Sequence, residues 1–139
     1  MVRRKATGKY CPDAHPRYSR ALLVGQSPDK LGQQQIDAIE TAESLAVSAM
    51  TCWEMAWLVK HGRIALKLPV SDWFNQVEEN GVAIIPVSRA IAERAVTLPE
   101  HHKDPVDRII IATTIEHQAQ LLSVDARFPD YQELAGLLV

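Results

Sequence analysis

Residues 103–114 read Lys-Asp-Pro-Val-Asp-Arg-Ile-Ile-Ile-Ala-Thr-Thr and have the features of a buried helix. Asp104 can cap such a helix with its carboxylate, and Pro105 suits the first helical position because no N–H is needed there. Asp107 falls in the first turn, where the helix dipole favours an ionised carboxylate. The apolar run 109–112 predicts burial on every side. Two carboxylates at the start of a core helix suggest a cation site, although an N-cap beside a surface Asp explains them equally well.

Short apolar segments alternate with helical patterns along the rest of the chain. Strands are predicted at 45–48, 82–87 and 121–124, with a last edge strand at 136–139, and helices at about 31–43, 52–60, 69–79 and after a Ser88 cap. This alternation predicts an α/β fold with a mostly parallel central sheet and helices on both faces. The functional site of such a sheet lies at the carboxyl ends of its strands. The predicted core includes six large apolar side chains: Trp53, Trp57, Ile84, Ile110, Leu122 and Val124.

Size and charge limit the classes of function. The 139 residues fit one domain, 1–139, and the net charge of −2 excludes a general polyanion binder, so any contact with nucleic acid needs a local basic patch. No apolar run approaches the roughly 20 residues that cross a membrane, and no apolar segment of a secretory signal follows the basic N-terminus. Cys11 and Cys52 lack metal-binding spacing and are interpreted as reduced thiols of a cytoplasmic protein.

Four acidic residues are expected at one edge of the sheet. Asp13 would follow a first strand, and Glu54 would lie in the first turn of the helix after the second strand. Asp107 would lie in the first turn of the helix before the strand 121–124, and Asp125 would end that strand. Carboxylates gathered so closely need a cation, and oxygen ligands favour Mg²⁺ or Mn²⁺. Such an ion can activate water and neutralise a phosphodiester. Glu54 has a simpler alternative, which is that it faces water.

Other polar residues near these acids have less specific signals. Arg108 and Arg127 could neutralise phosphate oxygens, and solvated or ion-paired arginines are the alternative. His101 and His102 are adjacent in a loop and have no nearby partner in sequence, so a solvated loop is expected rather than a metal site.

Three segments together resemble the PIN-domain ribonucleases, in particular the VapC-type toxins of bacterial toxin–antitoxin pairs. The segments are 47–56 with 60–64, then 104–112, then 121–128, and they cover most of residues 28–131 in the order and spacing of that family. The resemblance implies a three-layer α/β/α domain that uses Mg²⁺ or Mn²⁺ to cleave RNA. It also implies a homodimer and a neutralising antitoxin protein as partner.

The resemblance also assigns roles to residues. Glu54, Asp107 and Asp125 match three of the four acids that form the metal site of the family. Asp104 matches a further Asp of the VapC-type subgroup. It would act as the helix cap, or it would contact the metal ligands without binding the metal itself.

The N-terminal segment departs from the family pattern. The family begins with an apolar strand that ends in Asp-Thr-His and continues into a mostly apolar helix. Here Asp13-Ala14-His15 keeps the outer two residues, but Pro12 precedes it and the polar run 16–20 follows it. Residues 1–20 are therefore expected to be divergent, irregular or disordered, as after a shifted reading frame, with the family pattern resuming near Ala21.

Three functional hypotheses follow. The first is a metal-dependent ribonuclease in which Asp13 completes the site. The second is a catalytically impaired PIN fold that only binds antitoxin or RNA, which Pro12 and Pro16 favour. The third is a different metal-dependent phosphohydrolase on the same kind of sheet.

Overall fold

A four-stranded parallel sheet forms the centre of the protein. The protein is represented by a computed structural model, which describes residues 21–25, 32–123 and 127–139. The strands are β1 (Ala21–Val24), β2 (Ser44–Ser48), β3 (Ala83–Ile85) and β4 (Gln120–Leu122). Their order in the sheet is β3-β2-β1-β4, and every pair is parallel. The predicted α/β fold with a parallel sheet is confirmed.

Five helices connect and cover the strands. They are α1 (Gln33–Thr41), α2 (Ala49–Lys60), α3 (Val70–Glu79), α4 (Arg89–Thr97) and α5 (Pro105–His117), and two 3₁₀ turns follow at Phe128–Asp130 and Gln132–Leu134. Side-chain caps set three of the starts. The hydroxyl oxygens of Ser48 and Ser88 accept backbone N–H groups of α2 and α4, and the carboxylate of Asp104 accepts the N–H of Val106 at 2.9 Å. No helix among the described residues is long and apolar enough to cross a membrane.

One predicted strand differs from the structure, and one was not tested. The predicted first strand before Asp13 lies outside the described residues, as does Asp13 itself. The predicted edge strand at 136–139 is reduced to a single bridge between Leu121 and Leu138. Gly136 adopts a positive φ of 78° just before this bridge, which limits the length of regular pairing.

The core lies between the sheet and α5. Leu23, at the centre of β1, pairs with Ala46 and Leu121, and all three side chains are buried. Six residues of α5 are buried: Val106, Ile110, Ile111, Ala112, Thr113 and Thr114. The two threonine hydroxyls donate to backbone carbonyl oxygens one turn earlier, at 2.7 and 2.9 Å, so their burial leaves these groups paired. The predicted burial of Ile110 and Leu122 is confirmed.

The other predicted core positions differ. Trp53 and Trp57 are exposed, and Ile84 is only half-buried because β3 lies at the edge of the sheet. Apolar residues surround α2 on all sides, so their spacing could not show which side faces the sheet. None of the described residues of α1, α2 or α3 is fully buried. Val124 lies outside the described residues.

Candidate metal centre

Glu54 comes from α2, which starts directly at the carboxyl end of β2. Ser48 ends the strand, and its hydroxyl caps the helix by accepting the N–H of Met50 at 3.1 Å. Because the helix begins at Ala49, Glu54 lies in its second turn, and the prediction of a first-turn position was wrong. The helix dipole therefore stabilises the Glu54 carboxylate less than expected, since its effect fades after the first turn.

Electrostatics show that three carboxylates lie in one region. Although Glu54 is on the exposed side of α2, the surrounding protein removes part of its water, and this desolvation raises the pKa of its carboxyl group. The negative charges of Asp104 and then Asp107 raise that pKa further. Since α2 and α5 also contact each other, the charges at the start of α5 act on Glu54 across this contact. The structure thus places two of the predicted metal ligands, Glu54 and Asp107, in the same part of the molecule.

The donor set fits a hard divalent cation. Carboxylate oxygens are the ligands of Mg²⁺ and Mn²⁺, and a cation would offset the negative charges of Asp104 and Asp107, which add to desolvation in raising the pKa of Glu54. In the ranges 21–25, 32–123 and 127–139, no group of three or more His, Cys, Asp or Glu side chains has the arrangement of a complete metal site. Asp13 and Asp125, the other two predicted ligands, lie outside those ranges.

Asp104 holds the start of α5. Its Oδ1 atom accepts the N–H of Val106 at 2.9 Å, and the Asp104 residue itself is extended, with φ −65° and ψ 118°. This is the helix-cap role that the sequence predicted. By fixing the first turn of α5, the cap also fixes the backbone from which Asp107 projects.

Arg108 lies directly after Asp107, and its side chain contacts the backbone of α4 and of the loop 98–104. The guanidinium group donates five hydrogen bonds to carbonyl oxygens, at 2.7 to 3.3 Å: those of Ala95, Val96, Leu98, Pro99 and His102. A guanidinium group has five N–H donors, so the backbone occupies all of them. The structure therefore gives Arg108 a structural role, and its predicted role in neutralising phosphate gains no support from this geometry. Arg127 is exposed at the start of a 3₁₀ turn, and its phosphate role stays a prediction.

The expectation of a solvated histidine loop was wrong for His102. Its side chain is buried, and the hydroxyl oxygen of Tyr131 accepts its backbone N–H at 3.0 Å and lies 3.0 Å from its Nδ1 atom. The ring of Phe128 meets the His102 ring edge-on, with centroids 5.1 Å apart. The loop before α5 therefore packs against the segment 128–131 and is hydrogen-bonded to it. Sequence reasoning missed this contact, because Phe128 and Tyr131 are 26 and 29 residues further along the chain.

Comparison with known proteins assigns this architecture to a family. The PIN domain matches residues 20–134 of the chain. The chain belongs to the PIN-domain family. The match includes Glu54 and Asp107, whose carboxylates the structure brings near each other, and it also includes Asp125. Asp13 lies before its first residue.

Individual relatives of this PIN-domain chain support the resemblance to VapC-type members. Ribonuclease VapC22 of Mycobacterium tuberculosis is 39% identical over 106 residues, which are 76% of this chain and 81% of the relative. A toxin–antitoxin complex from Klebsiella pneumoniae contains a chain that is 25% identical, with a TM-score of 0.56 over 86% of this chain and 95% of that one. VapBC2 from Rickettsia felis, solved with a fragment of promoter DNA, contains a chain that is 15% identical with a TM-score of 0.61, and that chain supports the fold alone. The alignment covers 86% of this chain and 97% of the Rickettsia felis chain.

Proposed function

We propose that this PIN-domain chain is a VapC-type endoribonuclease that hydrolyses RNA phosphodiester bonds with Mg²⁺ or Mn²⁺. The observation that carries the proposal is the set of acids Glu54, Asp104 and Asp107 inside the family match, where desolvation and then the charges of the two aspartates raise the pKa of Glu54. The name of the Mycobacterium tuberculosis relative, a ribonuclease, supports the reaction class.

The residues have distinct tasks in this proposal. Glu54, Asp107 and Asp125, with Asp13 as a fourth, would hold the ion. The chemistry that such an ion supplies is activation of water and neutralisation of negative charge on the phosphodiester. Asp104 keeps the first turn of α5 in place through its cap, and Arg108 fixes the loop before it. These two residues orient the Asp107 backbone and need not touch RNA.

The partners belong to the same proposal. The structural neighbour from Klebsiella pneumoniae is part of a toxin–antitoxin complex, which supports an antitoxin protein as a partner of this chain. A homodimer and a cytoplasmic location follow from the resemblance to VapC-type toxins. Light scattering of the purified chain with and without a co-expressed antitoxin would measure both assemblies.

One observation favours the binding-only alternative. The residue that follows β1 is Gly25, whose N–H pairs with the carbonyl oxygen of Leu122 at 3.0 Å. A side chain at this position would crowd its surroundings, because an added Cβ would lie 3.3 Å from Leu121 Cδ1 and 3.4 Å from that carbonyl oxygen. No described residue therefore supplies an acid at the end of the central strand. A site that lacks the fourth carboxylate would hold Mg²⁺ weakly and cleave slowly.

Cleavage of single-stranded RNA tests the proposal. We expect cleavage to need Mg²⁺ or Mn²⁺, to stop with EDTA, and to fall more than about tenfold in Glu54→Gln, since that variant keeps the shape but loses a ligand charge. Glu79→Gln, at an exposed position of α3, is the matched control and should cleave as the wild type does. A screen of other phosphodiesters and phosphomonoesters would separate the ribonuclease from a different phosphohydrolase.

Asp13→Asn separates the active from the impaired form. If Asp13 completes the site, the variant should lose as much activity as Glu54→Gln. If Pro12 and Pro16 keep Asp13 away, the variant should leave an already slow reaction unchanged. An apolar strand with Asp-Thr-His at 9–15 and an apolar stretch at 16–20 should then raise the rate. Fast, metal-dependent cleavage that is indifferent to Glu54→Gln would refute the mechanism, and a chain that never cleaves, even after this repair, would support the binding-only alternative.

A further inference from the structure

One side of α2 carries a group of exposed aromatic and charged residues. With about 3.6 residues per turn, positions 53, 54, 57, 60 and 61 fall on the same side of the helix. These positions are all exposed, whereas the residues between them are half-buried. We call this surface the tryptophan face, and it consists of Trp53, Glu54, Trp57, Lys60 and His61.

The two tryptophans of this face are unusually open to solvent. Trp53 is 56% exposed and Trp57 is 42% exposed. The ring of Trp57 stacks on the ring of His61, with centroids 4.0 Å apart and planes inclined by 24°, and His61 Nδ1 lies 2.8 Å from the carbonyl oxygen of Trp57. This stacking already restricts the Trp57 side chain, so a ligand that binds there loses less conformational freedom. Rigid, exposed aromatic rings are suited to stacking against flat ligands.

The charges around the tryptophan face are mixed. The acids Asp104 and Asp107 act on Glu54 from the start of α5. Residues 49–69, which include α2 and the loop after it, contain three exposed cationic residues, Lys60, Arg63 and Lys67, and Glu54 as their single acid. Asp107 belongs to the proposed metal site and Asp104 caps α5, so these three cations are the groups that can contact phosphates here. Exposed cations next to exposed aromatic rings are the combination that single-stranded nucleic acids bind, through phosphates and bases respectively.

We propose that the tryptophan face binds single-stranded RNA by base stacking on Trp53 and Trp57. The exposed cations Lys60, Arg63 and Lys67 contact the phosphates. Glu54 lies between the two rings along the helix, so a strand stacked on them passes the acid that the proposed function places at the metal. The inference rests on the proposed function, because it gives the RNA of that reaction a binding surface. The three exposed cations beside the two rings favour RNA, a polyanion with flat bases, over a protein partner on this face.

Binding without cleavage isolates the stacking step. In EDTA, the affinity for a fluorescein-labelled single-stranded oligoribonucleotide is measured by anisotropy. Trp53→Ala and Trp57→Ala should each weaken binding about 5- to 150-fold, and the Phe variants should restore most of the affinity because they keep an aromatic ring. Val96→Ala, which changes an 81% exposed apolar residue of α4, is the matched control and should bind as the wild type does. Urea melts verify that each variant is folded.

Two further binding measurements distinguish the contribution of the bases from that of the phosphates. An abasic oligonucleotide of the same length keeps the phosphates but removes the stacking partners, so its binding should be weak and unaffected by the tryptophan variants. Lys60→Gln should reduce the slope of log affinity against log salt by about 0.7, the value for one phosphate contact with a single strand.

The outcomes distinguish this inference from the proposed function. RNA binding that is unchanged in Trp53→Ala and Trp57→Ala, while the wild type still cleaves RNA with metal, overturns the inference alone. A wild type that neither binds nor cleaves RNA overturns both. Variants that keep RNA binding but no longer co-purify with a co-expressed antitoxin assign the tryptophan face to a protein partner, which also overturns the inference.

Discussion

Arg108 joins α5 to the end of α4 through hydrogen bonds from a single side chain. Its donors reach carbonyl oxygens on Ala95 and Val96 inside α4 and on three residues of the following loop. The last carbonyl groups of a helix have no partner within the helix, so Arg108 satisfies groups that would otherwise depend on water. The loop that it organises leads directly to the Asp104 cap.

Loss of this side chain should destabilise the fold. Arg108→Ala should lower the free energy of unfolding by roughly 2–4 kcal/mol, since several charge-assisted hydrogen bonds disappear together. Arg108→Lys should recover little, because an ammonium group cannot reproduce the planar fork. Urea denaturation measures both. Arg89→Ala removes the exposed i,i+4 ion pair with Glu93 and should change stability by less than about 0.5 kcal/mol. A cost below about 1 kcal/mol for Arg108→Ala would show that water replaces these contacts readily.

Glu54 should make the metal-free fold sensitive to pH. Burial and the charges of Asp104 and Asp107 raise its pKa above the ordinary value of 4.5, so its ionised form opposes folding. Between the unfolded and folded pKa the native state binds more protons, and stability therefore falls as pH rises through this window. In EDTA, Glu54→Gln should be more stable than the wild type above that window, and the difference should vanish below pH 4.5. Urea midpoints measured across pH give the comparison.

Asp107→Asn provides the partner experiment for Glu54. This variant removes one of the two neighbouring charges that raise the pKa of Glu54, so it should narrow the pH window in which the wild type loses stability. The gain from Glu54→Gln should then be smaller in the Asp107→Asn background than in the wild type. Equal gains in both backgrounds would mean that the two carboxylates do not interact.

Residue roles were predictable from sequence where their causes are local. The Asp104 cap depends on its own neighbours, and the structure confirms it. The roles of Arg108 and His102 depend on groups from other elements, such as the carbonyl oxygen of Ala95 and the hydroxyl of Tyr131. The positions of those groups exist only after the helices have packed, and spacing along the chain does not encode them.

At the scale of elements, α5 is the helix on which the core depends. Ile110 is 4% exposed and packs in the main apolar cluster with Ile111 and Leu121. Ile110→Ala should therefore lower the free energy of unfolding by roughly 2–5 kcal/mol through the cavity that it leaves. Ile36→Ala on α1, where no described residue is fully buried, is the control and should cost well under half as much. A loss below about 1 kcal/mol for Ile110→Ala would contradict a core role for α5.

The contrast between α5 and α2 shows where the spacing of apolar residues fails to predict how deeply a helix is buried. Both sequences are apolar around most of the helix, and burial was predicted for both. α5 packs against α4, α2 and the sheet, and a side-chain pair between Arg94 and Glu116 also joins it to α4. α2 lies in an outer layer with one side open, so its tryptophans are exposed. A sequence that is apolar on all sides predicts a helix but not the number of its neighbours.

At the scale of the whole molecule, the proposed metal site predicts that the stability of the fold responds to Mg²⁺. If Mg²⁺ binds only the native state, it should raise the melting temperature. At a concentration one hundred times the dissociation constant, the free energy of unfolding should increase by about 2.7 kcal/mol. Asp107→Asn should stabilise the metal-free protein and reduce this response, because one repelling charge and one ligand disappear together. Thermal melts with and without Mg²⁺ measure the effect. A full Mg²⁺ response in Asp107→Asn would remove Asp107 from the ligand set.

The parallel sheet was predictable because it follows from a repeated pattern of apolar segments and helices along the chain. Its central strand β1, Ala21–Val24, was not among the predicted strands. This short apolar run carries no periodic signal, and only its pairing with Leu45 and Leu121 makes it a strand.

The position of β1 between β2 and β4 also determines when the fold can assemble during its synthesis. Leu22 pairs on one side with Leu45 but on the other with Gln120, about a hundred residues later. A ribosome adding roughly 5–20 residues per second needs on the order of 5–20 seconds to make that interval. Throughout it, one edge of the nascent β1 strand is unpaired, and the segment that carries Asp107 is made only near its end. The proposed metal site therefore forms only when nearly the whole protein has left the exit tunnel, and we do not expect a growing chain to cut RNA at the ribosome that makes it.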